Sequence, residues 1–120
     1  MLEHDLQKAV FTWANLAKNT MPELALMFAI PNESYGNSPR DICRGAKFKA
    51  EGRKAGVPDV LLPVARGEYH GLFVEFKSKT GTVSPKQKLW LEALSKQGYL
   101  TVVLNDFNKT TELITNYINQ

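Results

Sequence analysis

The stretch Leu72-Phe73-Val74-Glu75-Phe76-Lys77 constrains this chain most. Written as a strand, it turns Leu72, Val74 and Phe76 to one side and Phe73, Glu75 and Lys77 to the other. Apolar residues on both sides belong to a central strand. A carboxylate and an ammonium placed there are costly unless they are paired or bound to a metal. Two things follow. Helices must cover the sheet that contains this strand, and the two charged residues are candidates for chemistry rather than decoration.

The rest of the chain supplies such helices. Leu2, Leu6, Val10, Trp13 and Ala17 recur at three- and four-residue steps, which predicts a helix over residues 2–18 with Glu3 at the edge of its apolar stripe. Residues 24–30 read as a strand closed by Pro31-Asn32, residues 33–39 as a loop, and residues 40–51 as a basic helix ended by Gly52, Gly56 and Pro58. Residues 59–63 and 71–77 read as two strands. Ser84-Pro85-Lys86-Gln87 opens a helix that ends at Gly98, with Ser84 as N-cap, Pro85 at the first position and Gln87 completing a capping box. A β-branched strand over 99–104 and a closing helix after Asn105-Asp106 finish the chain. The order predicts an α/β fold, a small mixed central sheet flanked by helices. At 120 residues it is expected to form one domain, 1–120.

Composition excludes several classes. The single cysteine, Cys43, cannot form an internal disulfide, which favours a reducing, cytoplasmic setting. No apolar run is long enough to span a membrane, and the acids near Met1 do not suit a signal peptide. There is no phosphate-binding Walker loop, so no nucleotide cofactor is expected, and no Cys-x-x-Cys pair or Gly-x-Ser-x-Gly elbow. His4 and His70 have no partner at metal-ligand spacing and read as surface residues. Trp13 and Trp90 fall on apolar stripes and read as packing residues.

The formal net charge of +3 is unevenly spread. Residues 40–54 contain Arg40, Arg44, Lys47, Lys49, Arg53 and Lys54 against two acids. Residues 77–88 contain Lys77, Lys79, Lys86 and Lys88 and no acid. Each stretch is +4, which leaves −5 elsewhere. Such clustering fits a polyanion partner or, equally, two solvated faces.

Gly56-Val57-Pro58-Asp59 and Glu75-Phe76-Lys77 form the useful constellation. If the two strands pair about a bend centred on Gly67, Asp59 lies opposite Glu75, with Cβ atoms about 4.5–5.5 Å apart. Two carboxylates there repel unless a cation neutralises them, and two carboxylates plus waters suit Mg²⁺. Lys77, on the same face as Glu75, can polarise a water or meet negative charge on a phosphate. These parts suffice for metal-assisted phosphodiester hydrolysis.

Together with Glu3, Gln87, the Ile30-Pro31-Asn32 segment and the stretch from Ala46-Lys47 to Lys54-Ala55, these motifs resemble the VRR-Nuc (virus-type replication-repair nuclease) domain of the PD-(D/E)XK nuclease superfamily. The resemblance runs over nearly the whole chain. It implies a restriction-endonuclease-like core, Mg²⁺ or Mn²⁺ as cofactor, and hydrolysis of DNA. Asp59, Glu75 and the backbone carbonyl of Phe76 would then be metal ligands. Lys77 would orient the attacking water, Glu3 would complete the carboxylate shell directly or through water, and Gln87 would support the site. Glu3 also reads as a helix N-terminal acid facing the dipole, and Gln87 already has its capping role. Arg40, Arg44, Lys47, Lys49, Arg53, Lys54, Lys79, Lys86 and Lys88 would contact DNA phosphates. Small stand-alone members imply a phage or prophage origin. One active site cuts one strand, so symmetric cleavage of branched DNA such as a Holliday junction calls for a homodimer. The alternative is a non-catalytic nucleic-acid-binding module that keeps the fold.

Overall fold

The structure is a computed structural model that describes residues 1–31 and 38–120. Among the described residues, four helices surround a four-stranded sheet. In chain order these are α1 (Glu3–Ala17), a 3₁₀ turn (Pro22–Leu26), β1 (Phe28–Ala29), α2 (Pro39–Ala50), β2 (Val60–Leu62), β3 (Leu72–Phe76), α3 (Pro85–Lys96), β4 (Leu100–Leu104) and α4 (Phe107–Ile118). The sheet order is β1-β2-β3-β4. β1 and β3 run antiparallel to β2, whereas β4 runs parallel to β3. This is the α/β fold with a small mixed sheet that the residue pattern predicts.

One element differs. The apolar run over 24–30 is not one strand: its first half belongs to the 3₁₀ turn, and only Phe28–Ala29 pair with β2. Pro22 opens that turn, and Leu24 is buried in the core while Leu26 stays exposed. An apolar run this short fits a turn as well as a strand. Asn32 and the loop expected over 33–39 fall, as far as residue 37, outside the described residues.

The core explains the sheet's position. Leu6, Val10 and Ala14 of α1 and Ile114, Tyr117 and Ile118 of α4 bury against Val60, Leu62, Leu72, Val74 and Phe76. Full burial of each large apolar side chain contributes about 1.5–3 kcal/mol. Trp13 packs against this core, but Trp90 stays half-buried outside it, because α3 has no fully buried residue. Polar ties lock the far end: Tyr117 O–H donates to Val64 O at 2.6 Å, and Arg66 Nε–H donates to Ile118 O at 2.9 Å.

The β2–β3 register places the chemistry. Val60 faces Val74, Leu61 faces Phe73 and Leu62 faces Leu72, the register that a Gly67-centred bend predicts. The tip itself pairs Arg66 with Tyr69, one residue out of step. The irregular segment 63–65 absorbs that offset.

Candidate active site

Continued one step past Val60 and Val74, the register brings Asp59 beside Glu75. Glu75 is only 2% exposed although it carries a carboxyl group. Burial pushes its pKa up to about 9, and a hydrogen bond to Asp59, the negative charge of Asp59 and that of Glu3 act in the same direction. Lys77 opposes them. Without a cation, Glu75 is therefore protonated at neutral pH and shares its proton with Asp59. Its Oε1 is buried with no hydrogen-bond partner.

Asp59 is held from the other side. Phe76 N–H donates to Asp59 Oδ2 at 2.8 Å, so the main chain of β3 fixes the carboxylate. The loop before it is equally constrained. Gly56 has φ +89°, and a Cβ there would come within 3.0 Å of the Lys86 backbone at the start of α3. Only glycine combines this conformation with that approach. Gly56→Ala is therefore expected to cost about 2 kcal/mol or more, read by denaturant unfolding, and to loosen Asp59 with it. An unchanged midpoint would show that the loop does not depend on this contact.

The other expected site residues divide. Lys77 is buried to 9% exposure just past the end of β3, and its N–H donates to Leu104 O at 2.9 Å. Glu3 Oε1 accepts from Ser78 N–H at 3.4 Å, a long bond between residues 75 positions apart. Its charge is felt at Glu75, but among the described residues no three His, Cys, Asp or Glu side chains form a metal cage. Asp59 and Glu75 are the pair brought together. Gln87 completes the capping box: its Oε1 accepts from Ser84 N–H at 2.9 Å, and its N–H donates to Ser84 Oγ at 3.2 Å. Its side-chain carbonyl is thus engaged with Ser84.

Arg40, Arg44, Lys47, Lys49, Arg53, Lys54, Lys79, Lys86 and Lys88 are all exposed. On α2, Arg40, Arg44 and Lys47 share one face by their spacing. Arg53 lies over the Phe48 ring at 3.8 Å, so its guanidinium is partly engaged within this segment. Cys43 is exposed.

An open cleft of about 490 Å³ is lined by Glu3, His4, Gln7, Ile30, Pro31 and Asp59. His4 and Gln7 are additions to the residues the motifs single out. Gln7 could have been found, because it follows Glu3 by four residues and shares its helix face.

An acidic pair on the central strands of an α/β fold, next to a buried lysine and an open cleft, is a nuclease-type arrangement. The chain belongs to the VRR-NUC domain family, which it matches over residues 3–107. A solved structure described as "VRR_NUC domain protein" is 31% identical and superposes with a TM-score of 0.78, covering 99% of this chain and 89% of that one. No curated protein sequence matches. The family implies nuclease activity with DNA as substrate. Among the described residues, no helix is long and apolar enough to cross a membrane.

Proposed function

We propose that the protein is a metal-dependent DNA endonuclease, structure-selective for branched DNA and active as a homodimer. The observation that carries the reading is the buried, unpartnered Oε1 of Glu75 beside Asp59. A structural carboxyl group would have its oxygens satisfied, whereas a metal ligand has one to spare. Two carboxylates with room for water fit Mg²⁺ or Mn²⁺.

Asp59, Glu75 and the Phe76 carbonyl would hold the ion. When bound, it supplies Lewis-acid stabilisation of phosphate charge and a more acidic water. The chain's own residues do the rest. Phe76 N–H keeps Asp59 aimed, and Asp59 and Glu75 would give up the proton they share when the ion is held. Lys77 holds the attacking water or meets charge developing on the phosphate. Glu3 adds negative charge at the mouth of the cleft, and Gln87 fixes the start of α3 next to the Gly56 loop. The exposed lysines and arginines would bind phosphates, which positions DNA without reading its sequence. A two-fold dimer would set two such sites on opposite strands. The reading further takes the protein to act in a cytoplasm, with the phage or prophage origin that the resemblance implies.

The test uses labelled four-way junction, flap and linear duplex with Mg²⁺, Mn²⁺ or EDTA, alongside sedimentation of the protein. Paired nicks in the junction, lost in EDTA, from a dimeric species are expected. Binding without cleavage in either metal would make it a nucleic-acid-binding module instead. A monomer that cuts linear duplex as fast as junction would refute the resolvase part.

A further inference from the structure

A second pocket, of about 220 Å³, lies on the β4 side of the site. Its wall includes Lys77, Val83, Val103, Leu104, Asn105 and Lys109. Of the described residues lining it, two are lysines and none is acidic. The carboxylates Glu3 and Asp59 line the neighbouring cleft instead. The Asp106 carboxylate, next to Asn105 in sequence, is taken up in capping α4, where it accepts from Lys109 N–H at 2.9 Å. The Lys109 ammonium holds no ion pair among the described residues. Charge is thus largely sorted across the site, with Lys77 and Lys109 in this recess and a single acid at its edge, the Glu3 Oε1 that lies against the Gly81 wall.

This sorting has a chemical meaning. The acidic recess suits cations and the basic one suits an anion. The basic pocket also has an apolar lining, from Val83, Val103 and Leu104, and an amide at Asn105. An apolar surface, an amide and two ammonium groups together match a deoxyribose with its phosphate. Parallel pairing sets Phe76 opposite Leu104, so Lys77 and Asn105 leave the sheet side by side. A phosphate held at Lys77 and Asn105 would therefore sit two residues along the strands from Glu75 and its partner Val103.

We propose that Lys109 and Asn105, beside Lys77, bind the phosphodiester adjacent to the scissile one and so set the position of the strand being cut. This rests on the hydrolytic reading above and names positioning residues for it. Lys109 and Asn105 are exposed, so their replacement leaves the fold intact.

The test combines Lys109→Ala, Asn105→Ala and Lys109→Arg with oligonucleotides carrying a single neutral methylphosphonate at each position around the cut. Lys109→Ala should raise KM about tenfold with little change in kcat, as expected for a lost charge-assisted phosphate contact. It should lower the salt dependence of binding by about one ion, and Lys109→Arg should restore both. One methylphosphonate next to the cut should weaken the wild type by a similar factor and leave Lys109→Ala unaffected. The proposal is overturned if the wild type cuts but Lys109→Ala has an unchanged KM, or if every methylphosphonate costs the variant as much as the wild type. If the wild type cuts nothing, the hydrolytic reading fails. The same set, followed by fluorescence anisotropy of binding, then decides the subsite on its own.

Discussion

Glu75→Gln is expected to make the metal-free protein more stable while cutting DNA cleavage by about a thousandfold or more. Both effects have one cause. In the metal-free protein Glu75 is held protonated, its pKa raised to about 9 from an ordinary value of 4.5, chiefly by burial. The folded state thus binds a proton that the unfolded chain has released at neutral pH. The stabilisation from this group is complete below about pH 4.5 and is lost as the pH rises towards 9. Glutamine is neutral throughout and keeps an amide that can donate to Asp59. The variant should therefore melt about 5 °C above wild type at pH 8, and the two should converge towards pH 4.5. Its thermal midpoint should vary less between these limits. A variant that melts below wild type at pH 8 would mean that Glu75 is ionised and paired in the absence of metal.

Lys77→Met is expected to separate binding from chemistry. Methionine keeps the length of the side chain and its packing, and loses only the ammonium. Cleavage should fall about a hundredfold or more, whereas junction affinity should change little, because the exposed lysines and arginines of residues 40–54 and 79–88 would contribute most of the phosphate contacts. Lys77→Arg should not restore activity, since a planar guanidinium cannot replace a point charge at a 9% exposed position. Single-turnover cleavage and binding on the same junction measure the two quantities. Normal cleavage by Lys77→Met would remove Lys77 from the reaction.

The parts of this site that could be read from the sequence are those set by short-range rules. The two-residue period of β3 and the Gly67 bend are enough to place Asp59 beside Glu75, and the register agrees. The Ser84–Gln87 capping box is a four-residue signal and is present. The strand expected over 24–30 failed because an apolar run of that length has no period to choose between strand and turn. The pocket at Asn105 and Lys109 could not be read at all. It forms where β4 returns parallel to β3 through α3, and no spacing along the chain encodes that meeting. The contact between Glu3 and Ser78 likewise depends on α1 packing across β3. The buried state of Glu75 was legible from its apolar neighbours, but the orphaned oxygen was not, because it depends on which partners the surrounding backbone fails to offer.

The account stands on Asp59 and Glu75 holding a divalent cation in exchange for the proton they share. The direct measurement is a calorimetric titration of the protein with Mn²⁺ at pH 7.5, repeated in buffers of different ionisation enthalpy, for wild type and Glu75→Gln. Wild type should bind Mn²⁺ with release of close to one proton, and Glu75→Gln should bind far more weakly with none. Equal binding by the two proteins, or binding by wild type without proton release, would contradict it.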